Sequence, residues 1–224
     1  MGPWASPSVL DRAIACPAST VLPKGPDIVG PSAQWGKEVH AFKEGEDPTP
    51  RVKKWYESYY PGVKEMLWPG GEHEVVYWEQ DGKIERLDRR PSFAERELWP
   101  RQGMFFSLDW QNLHDGPAPW VDDLKTGLMP ESWTQLKAYS WALYKAHPWI
   151  QTNLASYTNW TRYPLGADPV RETKSFTRAE IEGWYDKTVV PAKRLALGRN
   201  AADLVRPGPH CRWCRSKPYC PAWK

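Results

Sequence analysis

The stretch 119–127, "PWVDDLKTG", decides how the rest of the chain is read. Trp120 and Val121 lead into Asp122, Asp123, Leu124 and Lys125, and Thr126 and Gly127 close the segment. A short apolar run ended by a turn residue reads as a strand. Side chains alternate along a strand, so Asp123 and Lys125 project from one face. An Asp-x-Lys pair at a strand end is most often a solvated ion pair of little consequence. Here the apolar run before it, the sharp turn after it and the helix that follows weaken that bland reading, though none of them decides it alone.

Outward from this strand, "GMFFSLDW" (103–110) is a second strand that closes on Asp109 and is joined to the first by a turn containing "HDG". Earlier, "HEVVYWE" (73–79) is β-branched and aromatic, "QDGK" is a hairpin-like turn, and "KIERLD" alternates. After the strand, residues 131–147 form a helix with Leu136, Tyr139, Ala142 and Leu143 on one stripe. "LASYTNW" returns as a strand, "YPLGADP" turns, and "VRETKSF" pairs back. "TRAE" (177–180) is a capping box that opens the last long helix, with Ile181, Trp184, Tyr185 and Val189 facing inward. Towards the N-terminus, residues 7–20 form a short helix leading to Cys16, followed by a Pro/Gly-rich loop. A helix over 33–45 carries Trp35, Val39 and Phe42 on one stripe with His40 beside it, and 52–67 is a second helical stretch. This order argues for an α/β domain, residues 1–224 forming one unit with a central sheet flanked by helices.

The 224 residues, 41% hydrophobic and 25% charged, suffice for one buried core. The N-terminal stretch lacks the basic start and apolar run of a secretory signal, and no segment is long and apolar enough to cross a bilayer, so a soluble cytoplasmic protein with no membrane partner is expected. "MGPWAS" fits the loose N-myristoylation pattern, but so short a pattern arises by chance and one acyl chain anchors only marginally. The net charge of +3 hides an asymmetry: from Lys187 onward nine basic residues face a single acid, Asp203. That basic end implies a polyanionic partner. Of the fifteen tryptophans most belong to the core, with a few left to stack on unpaired bases.

Asp109, Asp123 and His40, if they converge, offer oxygen and nitrogen ligands to a hard divalent cation, Mg²⁺ or Mn²⁺, with positions open to water and phosphate. Such an ion polarises a phosphodiester and lowers the pKa of bound water, while Lys125 places positive charge beside the developing oxyanion. The four cysteines, Cys16, Cys211, Cys214 and Cys220, admit three readings. Two disulfides require an oxidising compartment; a Cys₄ zinc site is chemically reasonable but usually pairs two local knuckles; an iron–sulfur cluster takes four thiolates at irregular spacing.

Several motifs resemble one family. "VDDLKTG" followed by "QLKAY" (135–139) resembles the signature of PD-(D/E)xK nucleases of the RecB and Cas4 type, "GKEVH" (36–40) is similar to that family's G-x-x-x-H helix, and "SLDW" to its Asp-bearing strand. Cys16 followed by Pro17, with a C-terminal C-x₂-C-x₅-C, is similar to the iron–sulfur variant of these nucleases. The resemblance spans residues 16–220 in family order. It implies a restriction-endonuclease-like core with a mixed sheet, and a [4Fe–4S] lobe made of Cys16 and residues 206–224 that joins the two chain ends. It further implies metal ligation by His40, Asp109, Asp123 and the Leu124 carbonyl, and Lys125 as the catalytic lysine. Gln135 and Tyr139 would line the site, and Arg212, Arg215 and Lys217 would meet DNA phosphates. Gly103 stands six residues before Asp109, further than the family's usual glycine. Glu74 matches nothing firmly and reads as an outer-shell acid, whereas His73, His114, Asp115 and Asp122 read as surface residues. The implied activity is metal-dependent exonuclease action on single-stranded or end-bearing DNA. The rival readings are a non-catalytic nucleic-acid-binding module and a zinc-stabilised interaction domain.

Overall fold

A computed structural model of the chain describes residues 4–26, 30–43, 46–59, 71–114, 118–125, 132–159, 170–198 and 200–223. Expected features at Asp115, at Thr126 and Gly127, over 60–67 and in "YPLGADP" lie outside these residues.

The protein is α/β, with a mixed six-stranded sheet flanked by helices. Strands β1 (Glu72–Gln80), β2 (Lys83–Leu87), β3 (Met104–Asn112), β4 (Trp120–Lys125), β5 (Thr152–Asn159) and β6 (Val170–Thr177) lie in the order β2-β1-β3-β4-β5-β6. All neighbours are antiparallel except β4 and β5, which run parallel. A parallel pair requires a crossover, supplied here by the helix over Thr134–Ala146. The expected hairpin is present: Gln80 pairs with Lys83, and Asp81 and Gly82 both adopt positive φ, 53° and 78°, as a two-residue Asp-Gly turn between twisted strands demands.

The helices are α1 (Leu10–Ala15), α2 (Pro31–Lys43), α3 (Pro50–Tyr59), α4 (Phe93–Glu97), α5 (Thr134–Ala146), α6 (Arg178–Trp184) and α7 (Val190–Leu197). The expected helix over 7–20 is really α1 between two 3₁₀ turns, Pro7–Val9 and Pro17–Thr20. Proline at the start of each turn supplies a preset φ where no N–H is needed. The last long helix is broken: a π turn, Tyr185–Val189, separates α6 from α7. Short α4, opened by a Ser92/Glu95 capping box, was not foreseen.

Two apolar clusters hold the sheet. The larger gathers Leu10, Tyr77, Phe106, Leu108, Val121, Leu136, Leu143, Tyr157 and Ile181, beneath α1, α5 and α6. The smaller joins Val39, Phe42 and Val52 of α2 and α3 to Trp110 and Leu124. On β4, Val121 belongs to the first cluster and Leu124 to the second, as alternation requires of a strand covered on both faces. On β3 alternation fails: Leu108 and Trp110, two apart, belong to different clusters. Asp109 lies between them, opposite Glu74 of β1 in the register. The β3–β4 ladder stops there, running from Asn112↔Trp120 to Trp110↔Asp122 and no further. Beyond it the strands part, and Ala5 of the N-terminal segment bridges to Met104 on the vacated edge.

Candidate active site in the notch between two strands

The parting of β3 and β4 opens a notch, and the acids sit at its apex. Asp109 Oδ2 accepts the Leu124 N–H at 2.7 Å, so a carboxylate takes over a backbone donor freed where the ladder ends. Asp123 lies on the β4 face turned towards α5 and is buried. Lys125, two residues on, forms an ion pair with Asp123 Oδ2. The shared face read from the sequence is therefore real, but the pair is not a solvated one.

Helix α5 secures both groups through Gln135 and Tyr139, which stand one turn apart and so share a face. Gln135 Oε1 accepts from Lys125 Nζ at 2.9 Å. Its Nε2 donates to Asp123 Oδ1 at 2.7 Å and to Tyr139 Oη at 2.9 Å. Tyr139 in turn points its hydroxyl at Asp123 Oδ1, 3.5 Å away. One glutamine thus fixes the lysine and the aspartate together. The Lys125 ammonium also lies 5.1 Å from the Tyr157 ring centroid.

From the other wall, α2 brings His40 Nδ1 to 3.8 Å from Asp109 Oδ2. Glu74 completes the group: ligand-capable atoms of His40, Glu74 and Asp109 lie within 4.8 Å of one another. Glu74 has φ of 49°, a left-handed conformation in mid-strand, and the β1–β3 register sets it opposite Asp109. A non-glycine residue there carries strain of about 1–3 kcal/mol, and such strain gathers at functional positions. Glu74 is held by Ser107 Oγ and Arg90 Nη1, each at 3.2 Å from its Oε2. Sequence reasoning placed this acid outside the ligand set, whereas the structure puts it beside His40 and Asp109. The signal, a backbone twist, is invisible in periodicity.

The cavity is about 450 Å³, and its walls include His40, Asp109, Asp123, Leu124, Lys125, Gln135 and Tyr139, every residue expected there. Leu124 is tied in by its N–H. Lys37, Arg90 and Arg96 add positive charge at the walls. Burial first, then the Asp123 and Glu74 carboxylates, raises the Asp109 pKa well above the usual carboxylate range. Burial, with Asp123 and Asp109, likewise pushes the Tyr139 hydroxyl well above its ordinary value. Asp123 Oδ2 is buried without a hydrogen-bond partner beyond the ion pair with Lys125. Crowded, buried oxygen donors of this kind suit a small divalent cation.

Asp122 is not a surface residue. It is fully buried, accepting from Thr158 Oγ1 at 2.7 and 3.0 Å and lying 3.5 Å from Arg171, because helices cover β4 on its second face as well. His73 and His114 are exposed, as expected.

At the chain ends, Cys16, Cys211, Cys214 and Cys220 line one cavity, Cys16 being buried. Backbone N–H groups point at two of the sulfurs, Arg206 to Cys16 at 3.5 Å and Gly208 to Cys211 at 3.4 Å. Among the described residues no three of these sulfurs lie within 4.8 Å of one another. Arg212 lies over the Trp213 ring at 4.8 Å and Lys217 over Trp223 at 4.0 Å, while Arg215 donates to the Gly25 carbonyl. Trp213, Tyr219 and Trp223 are more than half exposed.

No family model and no curated protein matches the sequence. Among solved structures the chain is similar to one described as the crystal structure of SSO0001, at 15% identity and a TM-score of 0.45, over 98% of this chain and 86% of that one. A likeness this distant carries no argument about activity. Among the described residues no helix is long and apolar enough to cross a membrane.

Proposed function

We propose that the chain is a metal-dependent deoxyribonuclease of the PD-(D/E)xK type, an exonuclease on single-stranded or end-bearing DNA. One observation carries this reading: His40, Asp109 and the Asp123/Lys125 pair, drawn from one helix and two strands, line a single cavity in which Gln135 joins the lysine to the aspartate. A binding module has no need to bury two carboxylates beside a third acid and a lysine.

His40, Asp109 and Asp123 would hold Mg²⁺ or Mn²⁺, with Glu74 beside them; the buried Asp123 Oδ2, which meets only Lys125, and the raised Asp109 carboxyl fit such an ion. When bound, it would polarise the scissile phosphodiester and acidify a water. The chain's own groups do the rest. Lys125 sets a fixed positive charge where a phosphoryl oxygen gains negative charge, and Gln135 holds it there at no reorganisation cost during reaction. Lys37, Arg90 and Arg96 draw the polyanion in.

The same reading assigns a [4Fe–4S] cluster to Cys16, Cys211, Cys214 and Cys220. A lone tetrahedral zinc, with Zn–S near 2.3 Å, would draw its sulfurs to about 3.8 Å from one another. These thiols are not drawn together in that way, and the N–H groups aimed at two of them are of the kind that tune cluster-ligating sulfurs. Its part would be that of a clasp closing nearly the whole chain.

The test is degradation of end-labelled single- and double-stranded DNA with manganese by wild type, Asp123→Ala and Lys125→Ala. Wild type should shorten DNA and both variants should lose at least about two orders of magnitude, the usual loss for one electrostatic group. If wild type leaves DNA intact, or the variants match it, the enzyme reading fails.

A further inference from the structure

A second cavity, about 430 Å³, adjoins the first: Ser6, Arg96 and Phe105 line both. Its charge is more one-sided: the first cavity mixes three acids with four Lys/Arg side chains. Arg12, Lys24, Arg96, Arg101 and Arg215 stand around it against one acid, Glu97. These cations come from four parts of the chain, namely α1, the segment after the Pro17–Thr20 turn, the α4 region and the Cys-rich end.

Three of these cations, Arg12, Lys24 and Arg101, are held by neutral partners. Lys24 Nζ donates to the Ser19 carbonyl and, at 3.3 Å, to Ser216 Oγ, both on buried residues, although the lysine stem is exposed. Arg12 Nη1 reaches the Trp213 carbonyl at 3.3 Å, and Arg101 Nη2 the Ala196 carbonyl at 3.2 Å. Among the described residues Arg12, Lys24 and Arg101 form no ion pair with a carboxylate. Each holds its position with no carboxylate to neutralise it. Burial together with Arg12, and to a lesser degree Arg215 and Arg101, lowers the Lys24 pKa to about 8, a penalty that an anion in the cavity would relieve.

We infer that this cavity is a phosphate-binding pocket that grips the nucleic-acid strand one or more linkages away from the phosphodiester held in the acidic notch. The choice of a strand as ligand rests on the nuclease reading; the choice of phosphate rests on the cation set alone. Arginine forks match phosphate oxygens in pairs, and a pocket continuous with the notch can hold a strand at two points. The pocket also depends on the Cys-rich end. Gly25 N–H donates to the Arg215 carbonyl at 2.8 Å, the Arg215 guanidinium returns to the Gly25 carbonyl at 3.0 Å, and Lys24 reaches Ser216. The lobe around the four cysteines is thus one wall of the grip.

The test reads binding without catalysis. Fluorescein-labelled oligothymidylate is titrated by anisotropy, in EDTA, with the full-length protein purified anaerobically, across a salt series. For wild type, log K falls with log salt, and Arg101→Gln and Arg12→Gln each bind several-fold more weakly, with the slope flattened by about 0.7 for each phosphate no longer neutralised. Lys24→Arg, which keeps charge, binds like wild type, and Lys24→Ala does not. Circular dichroism melts accompany every variant, and Arg101→Gln, which gives up only a carbonyl hydrogen bond, answers the question if Lys24→Ala unfolds. Unchanged affinity and slope in Arg101→Gln and Arg12→Gln overturn the pocket. Inorganic phosphate binding wild type as tightly as the oligonucleotide overturns the strand assignment in favour of a free anion. A chain that passes this test yet cuts nothing with manganese refutes the nuclease reading alone.

Discussion

Asp109→Asn should make the metal-free protein more stable. Ligand-capable oxygens of Asp109 and Glu74 lie within 4.8 Å, and two unit charges at that separation repel by about 3 kcal/mol at an effective dielectric constant of about 20. Arg90 on Glu74 offsets part of this. Asparagine still accepts the Leu124 N–H, but the loss of charge weakens that bond by about 1 kcal/mol. The balance is a gain of about 1–2 kcal/mol, or about 2–8 °C in Tm for a chain of this size. The sign with pH follows from the raised carboxyl: its protonated form is favoured by the fold, so the contribution to stability is present at low pH and lost as pH rises through the raised value. The gap between variant and wild type should therefore be widest at alkaline pH and close towards pH 4. Thermal melts in EDTA and in manganese, across that range, measure it. Manganese should raise the wild type more than the variant, and the variant should no longer cleave DNA. An Asp109→Asn protein that melts at or below wild type in EDTA at pH 8, or that gains as much from manganese, refutes the crowding of carboxylates as the organising force of the site.

Gly103→Ala tests the approach to β3: a Cβ there would lie 1.9 Å from the Trp78 ring and 2.8 Å from the Glu79 carbonyl oxygen, and overpacking of this kind costs about 1–3 kcal/mol, read as a lower denaturation midpoint. A midpoint equal to wild type would mean that β1 and β3 are not in this register. His147, whose ring meets the Tyr77 hydroxyl at 3.2 Å, has its pKa lowered by burial and by Arg86, so its stabilising contribution is complete above about pH 6.5 and is lost as pH falls. His147→Gln should flatten the fall in Tm between pH 7 and 5, and parallel curves would remove His147 as its source.

The parts legible in the sequence are those set by local chemistry. Asp81-Gly82 specified its turn, the Asp123 and Lys125 spacing specified a common face, and Gln135 and Tyr139 specified one side of a helix. The parts that escaped depend on what the chain meets. Glu74 reaches His40 and Asp109 only because β1 twists opposite Asp109 of β3, and no two-residue alternation encodes that twist. Asp122 read as a surface residue because an aspartate next to Asp123 must face the other way; burying it required Thr158 and Arg171 from strands more than thirty residues away. The basic cavity was half legible. Arg215 was expected to meet phosphate, but Arg12, Lys24 and Arg101 join it only through the fold.

The notch and the grip share one wall, which bears on what the cysteines do. Residues just before α1 line both cavities: Ser6, Pro7 and Ser8 the acidic one, Trp4, Ala5 and Ser6 the basic one. Ala5 is bridged to Met104 at the mouth where β3 leaves β4. This segment leads through α1, whose last turn ends at Cys16, and Cys16 faces the other three thiols across a single cavity. If the proposed cluster holds the thiols, it would fix α1 at its C-terminal end, and through α1 the segment that bridges to β3 at Met104. Loosening such a clasp would free the wall before it freed the core, because Asp109, Asp123, Gln135 and Tyr139 are tied to β4 and α5 by hydrogen bonds of their own. On the cluster reading proposed above, the thiols would govern access to the notch while the strands govern its geometry.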